Sequence, residues 1–399
     1  MAPIGDELSF AYGNSLPSHV RQPGKIPVFG SNGQVGWHSE VGIIGPGIIV
    51  GRKGSVGEVK FSTSDYWPID TTYYVVNPKA HNWRYLFYLL KHADLTGLNS
   101  HSAVPGLNRE DAYAIQAWFP DAETQEKIAN ALDNMTSCLA LEKHAIISAQ
   151  RIKQATMHEL FTRGLRGEAR KETEIGLMPK SWNLVRLEEV FETQLGKMLS
   201  RKAHGGDSPM RYMRNKNVQW GRLDVSDLLS MDFSESEKEK FRLKTGDLLV
   251  CEGGIIGRAA IWHGELDECY YQKALHRIRP KNKTASNEFL CYWLSYAFEH
   301  QNLYNIGGAS STIAHLPQGL LEGLQIPLVP KAEQAEIVET LTAVDRKISL
   351  HTEKKSVLDE LFRSLLNKLM TGEISVEDLD LSALTPEEPQ PKTEAEVQS

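Results

Sequence analysis

Two long stretches without glycine or proline constrain this chain more than any other feature. Residues 121–163 and 331–371 contain neither; each follows a proline (Pro120, Pro330) and each soon meets a glycine (Gly164, Gly372). These are helix start and stop signals. Apolar residues recur at coiled-coil steps: Ile128, Leu132, Met135, Leu139 and Ile146 in the first stretch, and Ile337, Leu341, Val344, Ile348, Leu358, Leu361 and Leu365 in the second. Charged residues fill the other faces. At about 1.5 Å per residue such a helix extends roughly 60 Å, more than the diameter of a small domain. Neither helix can lie wholly against its own domain, so the two seams are expected to pair with each other, antiparallel.

The helices belong to a longer duplication. Gly47-Ile-Ile-Val-Gly-Arg-Lys-Gly-Ser-Val-Gly57 lies over Asp247-Leu-Leu-Val-Cys-Glu-Gly-Gly-Ile-Ile-Gly257 at an offset of 200, each reading as an apolar strand followed by a tight glycine turn. Residues 82–90 and 287–295 match as short apolar helices at an offset of 205, and Leu107 falls over Leu316 at 209. The offset only grows, as small loop insertions in the second copy would make it. Between the copies, residues 164–181 are polar and charged and read as a linker.

Charge is unevenly placed. The net charge is −7, and Glu373, Glu377, Asp378, Asp380, Glu387, Glu388, Glu394 and Glu396 against Lys392 account for all of it, so residues 1–372 are neutral. With Pro386, Pro389 and Pro391 among the acids, the tail is expected to be disordered. Within the neutral body, residues 197–222 hold Lys197, Arg201, Lys202, Arg211, Arg214, Lys216 and Arg222 against Asp207, a stretch compatible with a phosphate-binding surface or with a solvated loop.

Other classes fall away. The most apolar stretch, residues 41–50, is broken by Gly42, Gly45, Pro46 and Gly47, which excludes a spanning helix. Residues 1–10 carry Asp6 and Glu7 and lack the pattern of a secretory signal, so a cytoplasmic location is expected. Cys138, Cys251, Cys269 and Cys291 are widely spaced and fit ordinary thiols. No Walker-type phosphate loop occurs, and Asn77-Pro78-Lys79 lacks the proline and aromatic of an amino-methyltransferase motif. Glu58-Val59-Lys60 matches a nuclease-like Glu-x-Lys, but its counterpart is Arg258-Ala259-Ala260, so Glu58 and Lys60 read as strand-surface charges. Histidines show no metal-ligand spacing, and no metal site is expected.

Two similar frameworks with different tips describe a two-headed reader: Gly51-Arg52-Lys53 stands against Cys251-Glu252-Gly253. The pattern resembles the specificity (S) subunits of type I restriction-modification enzymes over essentially the whole chain. Its carriers are Gly24-Lys25-Ile-Pro-Val-Phe-Gly-Ser-Asn-Gly33, Gly51-Arg-Lys-Gly-Ser-Val-Gly57, Ile69-Asp-Thr-Thr-Tyr-Tyr74, Glu123-Thr-Gln-Glu-Lys-Ile128, Pro179-Lys-Ser-Trp182, Glu333-Gln-Ala-Glu-Ile337 and Leu369-Met-Thr-Gly-Glu-Ile374. Trp182 has no counterpart before Ile4, so the first copy is short at its start. The resemblance implies an α+β fold: two similar mixed α/β target recognition domains separated by two long antiparallel coiled-coil helices, an internal pseudo-twofold repeat. The expected boundaries are 1–119 and 181–329 for the domains, 120–164 and 330–372 for the helices, 165–180 for the linker and 373–399 for the tail.

The resemblance further implies a chain with no catalysis and no cofactor of its own. It would read double-stranded DNA at a bipartite, asymmetric target and recruit two modification subunits that methylate adenine using S-adenosylmethionine. Restriction subunits using ATP and Mg would join through the assembled complex, and exposed apolar positions on the helices are expected as docking surface. Candidate DNA contacts follow from side-chain chemistry. They are Lys25, Ser31, Asn32, Gln34, Arg52, Lys53 and Ser55 in the first half, with His101 and Ser102 behind them. In the second half they are Arg201, Lys202, Arg211, Tyr212, Arg214, Asn215, Asn217 and Arg222, with Ser310 and Ser311 behind them. Arg and Lys suit guanine edges or phosphates, Asn and Gln suit adenine, and phosphate contacts position without specifying. Tyr73, Tyr74, Trp83, Trp182 and Trp293 are expected in cores. The rival reading is a two-headed protein scaffold without base-specific DNA recognition.

Overall fold

The apolar run Ile48, Ile49, Val50 is buried because its strand, Gly47–Gly51, is interior to a four-stranded antiparallel sheet, and alternate side chains enter cores on its two faces. The sheet runs in the order Ser9–Tyr12, Thr72–Val76, Gly47–Gly51, Val59–Ser62. The second copy repeats it with Phe191–Leu195, Leu275–Pro280, Leu248–Cys251 and Ala259–Ile261. A three-stranded sheet recurs as well. Gly33–His38, Ile26–Gly30 and Trp67–Pro68 correspond to Leu229–Asp232, Pro209–Met213 and Tyr270–Tyr271, with one parallel pairing at the same place in each.

This computed structural model describes residues 1–98, 106–199, 209–301, 303–304 and 315–379. The chain forms two compact units, one built from residues 1–144 together with 351 onward, the other from 145–350. Each unit therefore holds one sheet domain and one half of each long helix. The helices span Ala122–Arg163, 42 residues, and Lys331–Thr371, 41 residues.

In the first unit Ile128, Leu132 and Met135 share a core with Leu358, Leu365, Leu369 and Met370 and with Tyr85, Leu86 and Leu89 of the short helix Trp83–His92. In the second unit Ile337 and Leu341 pack with Met157, Phe161 and Trp293. The helix halves run antiparallel within each unit. Glu142 takes His351 Nδ1 at 2.6 Å and Lys354 Nζ at 2.7 Å, while Lys127 reaches Glu377 at 2.9 Å; in the other unit Lys153 meets Asp345 at 2.7 Å. Leu139, Ile146, Val344 and Ile348 are half-buried.

Three expectations are corrected. Leu361 does not lie on the buried face: it is 41% exposed, and Phe362 takes its place against the core. A helix serving both a partner helix and a domain buries a stripe wider than a simple seam, and here that stripe runs through 358, 362, 365 and 369. The segment 165–180 is not a polar linker but a hairpin, Arg170–Thr173 paired with Gly176–Pro179, which buries Ile175 and Met178. Residues 374–379 pack Ile374, Val376 and Leu379 against the first core, whereas the acidic segment was expected to be disordered from 373. The first copy is indeed short at its start: its opening strand is two residues, Ala2–Pro3, paired with Gln116–Ala117, where the second copy pairs four, Asn183–Arg186, with Gln325–Leu328.

Trp182, Trp293 and Tyr73 are buried, and Tyr74 and Trp83 are half-buried. None of the four cysteines is in a disulfide, and burial pushes the thiols of Cys269 and Cys291 up to about 12, leaving both unreactive. No helix among the described residues is long and apolar enough to cross a membrane.

Candidate nucleic-acid interface

The glycine turn of each domain is shaped by the same backbone requirement. Gly54 and Gly57 have φ of +79° and +76°, Gly254 and Gly257 of +73° and +75°, and each turn closes through the last glycine's N–H onto the carbonyl of residue 51 or 251. A second turn packs beside it in both domains. A Cβ on Gly54 would sit 3.2 Å from Ser31 Oγ, and one on Gly254 would sit 3.9 Å from Asn215 Nδ2. Ser31 and Asn215 occupy matching positions, each two residues after the carbonyl (Phe29, Met213) that accepts from Ile69 or Gln272. Each tip is therefore two converging turns.

In the first domain this brings Ser31, Asn32, Arg52, Lys53 and Ser55 together, with Gln34 exposed on the strand leaving the turn. Arg52 is fixed by Nε and Nη2 donating to the Asp70 carbonyl at 3.1 and 2.6 Å. Lys25 is not brought to the tip: it precedes the strand Ile26–Gly30, at the end opposite Ser31, about 20 Å away along an extended chain. Glu58 and Lys60 pair with each other at 3.1 Å on the strand surface.

In the second domain Asn215 donates from Nδ2 to the Gly253 carbonyl at 3.0 Å, and its own carbonyl accepts from Arg258 Nη2 at 2.7 Å. Arg258 Nη1 also reaches Gln219 Oε1 at 3.2 Å. Arg211 and Arg222 are exposed. Arg214 and Lys216 both bind Asp227, at 2.9 and 2.6 Å, and the lysine beside it holds the Asp227 carboxyl below the usual range. Lys197 is spent on Glu237 at 2.6 Å. Part of the basic stretch is thus neutralised by acids outside it, a pairing that residues 197–222 alone do not reveal.

Two candidates are overturned. Tyr212 is 1% exposed, alternating with exposed Arg211 along its strand and buried beside Met213 and Tyr270. Asn217 is also 1% exposed; its Nδ2 donates to the carbonyls of Asp224 and Asp227 at 2.9 and 3.0 Å and its Oδ1 accepts from Arg214 N, so it braces the turn. His101, Ser102, Arg201, Lys202, Ser310 and Ser311 lie outside the described residues.

Sequence reasoning missed Tyr12, Arg109 and His315. Tyr12 and Arg109 meet near Arg52, and His315 bridges the backbone of Gly253. The repeat offsets were the available signal, since they set Arg52 over Glu252 and, at 209, Arg109 over Gln318. The helices also present exposed apolar residues, Leu141, Val357 and Leu361 in the first unit and Ile152 and Leu350 in the second. Among the described residues, no cluster of His, Cys, Asp and Glu could hold a metal ion.

Two copies of one sheet domain with divergent tips, each holding half of both long helices, define a duplicated modular architecture. The sequence model described as "Type I restriction modification DNA specificity domain" matches residues 8–151 and 179–360, and the chain belongs to this family of type I specificity (S) subunits. Among curated relatives, the type I restriction enzyme MjaVIII specificity subunit of Methanocaldococcus jannaschii is 25% identical over 74% of this chain and 71% of its own. The putative MjaX specificity subunit of the same organism is 25% identical over 73% and 68%. A solved S subunit of a type I system from M. genitalium shares the fold with a TM-score of 0.62 at 15% identity, covering 92% of this chain and 95% of that one.

Proposed function

We propose that the chain reads double-stranded DNA at a bipartite, asymmetric target, one half-site per domain, with the gap set by the helix pair. The observation that carries this reading is the repetition of one framework with chemically different tips: Ser31, Asn32, Arg52 and Lys53 in one domain, Asn215, Glu252 and Gly253 in the other. A rigid scaffold bearing variable loops is how recognition is ordinarily built. Exposed tip cations would grip phosphates, and Asn32 would address base edges. The chain itself does no chemistry in this reading. It recruits two modification subunits, which bind S-adenosylmethionine and methylate adenine, and restriction subunits, which use ATP and Mg. Leu141, Ile152, Leu350 and Val357 would be docking positions.

The test is selection of duplexes from a random library with the chain co-expressed with its modification subunit, at stated salt. A two-part motif with a fixed gap is expected, and exchanging residues 1–119 should change one half only. A well-formed complex that retains general DNA binding yet enriches no motif would leave the protein-scaffold reading in front.

A further inference from the structure

At the tip of the first domain two guanidinium groups gather at one tyrosine. Arg52 Cζ lies 5.2 Å from the Tyr12 ring centroid and 6.0 Å from that of Tyr73; Arg109 Cζ lies 4.9 Å and 5.8 Å from the same two rings. Tyr12 is 51% exposed, and its ring sits 5.1 Å from that of Tyr73 on the neighbouring strand. Each arginine is held by a carbonyl, Arg52 by Asp70 and Arg109 by Phe10 at 3.3 Å. Among the described residues neither forms an ion pair. Ring faces and carbonyls offset part of the repulsion between two such cations, but an anion would satisfy both.

The second domain shows that the framework does not require this arrangement. The Arg52 carbonyl accepts from Leu107 N at 3.1 Å, as the Glu252 carbonyl accepts from Leu316 N at 2.7 Å. Tyr12 faces Tyr73 across the sheet, as Leu195 faces His276. Arg109 opens the helix Arg109–Tyr113, as Gln318 opens Gln318–Glu322. At the same four places the second domain thus has an acid, a leucine, a buried histidine and a glutamine engaged with Thr193 and Glu322.

We propose that Arg52, Arg109 and Tyr12 form an anion clamp, present in the first domain alone, that takes one backbone phosphate of duplex DNA. The clamp rests on the DNA-reading function above and adds to it a phosphate anchor in one half-site only. Arg52 Nη1 and Arg109 Nε and Nη2 have no protein partner among the described residues, which leaves donors from both side chains for the phosphate oxygens.

The test uses the full chain with its modification subunit and a duplex of the selected sequence in which neutral methylphosphonates replace single phosphates along the first half-site. Arg109→Gln installs the residue that the second domain carries at this place, so the fold should tolerate it; Tyr12→Leu does the same for the ring. One methylphosphonate should weaken binding by the unaltered chain about tenfold or more and have little effect on Arg109→Gln. That variant should also lower the salt slope by about 1 without changing the bases selected, and Tyr12→Leu should weaken the same contact less. Unchanged affinity and slope in Arg109→Gln, with the two-part motif intact, would overturn the clamp and leave the reading standing. A change in the bases selected would make the contact a base contact and overturn it too. Failure of the unaltered complex to select any first half-site would overturn the reading and the clamp together.

Discussion

The two domains anchor their short helices to the long ones through the same tyrosine, but the residues that receive it have changed places. In the first domain Tyr88 Oη donates to Asp133 at 2.6 Å and lies 3.1 Å from Thr136 Oγ1; in the second Tyr292 Oη donates to Asp345 at 2.7 Å and lies 3.2 Å from Thr342 Oγ1. Aspartate precedes threonine by one helical turn in one copy and follows it in the other. The cation differs as well: Arg84 clasps Asp133 from the short helix, whereas Lys153 reaches Asp345 from the other long helix. A framework contact can therefore survive sequence divergence when its chemistry is kept and its order is not. At the tips the chemistry itself has diverged.

The comparison can be broken most forcefully in the cores. Leu132→Ala and Leu341→Ala each empty a fully buried site, and each should cost about 2–5 kcal/mol. Hydrogen exchange should show the first loosening Trp83–His92 and the second Asn287–Leu294; equal loosening of both helices by either variant would deny that the units keep separate cores. Next in size, Asn217→Ala should cost about 1–3 kcal/mol by orphaning the carbonyls of Asp224 and Asp227. Arg211→Ala should leave stability within about 0.5 kcal/mol and lower DNA affinity evenly across sequences, so denaturant melts and binding assays on the pair separate brace from contact.

Close to Asn217→Ala in size, Tyr88→Phe and Tyr292→Phe should each cost roughly 1–2 kcal/mol, and the two costs should agree. A gap much larger than that in urea melts would mean that the reversed order of acid and hydroxyl is not energetically equivalent. The smallest effect concerns Glu142, in the first unit. Burial works to raise its carboxyl, but hydrogen bonds from Lys354 and His351 outweigh burial and leave its pKa below the ordinary 4.5. A depressed folded value adds stability above 4.5, and that stability disappears as pH falls through the folded value. Stability measured against pH should therefore show Glu142→Gln below the unaltered chain near neutrality, with the gap closing under acid. A gap that persists below the folded value would refute the linkage.

The duplication, the strand-and-glycine turns and the long helices were legible because each leaves a periodic trace: matching glycines, an apolar triplet, or some forty residues without a helix breaker. The hairpin Arg170–Thr173 with Gly176–Pro179 was hidden because it contributes two buried apolar side chains, Ile175 and Met178, among charges typical of a linker. Between the two copies, the register of the short helices also shifts. Their caps, Asn82 and Ser286, stand at an offset of 204 and align Tyr88 with Tyr292, whereas matching the asparagines by identity suggests 205. At the tips, the basic stretch showed its cations but not Asp227 and Glu237, which neutralise part of it. Arg109 reaches Tyr12 across nearly a hundred residues, a contact that no local pattern marks.

The division of the two units along the chain has a consequence for the order of synthesis. Residues 145–350 are contiguous, so every side chain of that core, from Met157 to Leu341, has been made before the second long helix is finished. The unit that begins with residues 1–144 is completed only after that core. Its own core stays open until Leu358, Leu365, Leu369 and Met370 have been made to pack against Ile128 and Leu132. Although domains ordinarily fold in the order in which they emerge, the unit that begins with residues 1–144 must wait for the one that follows it, its helix face unfilled until the second half of the second long helix is made.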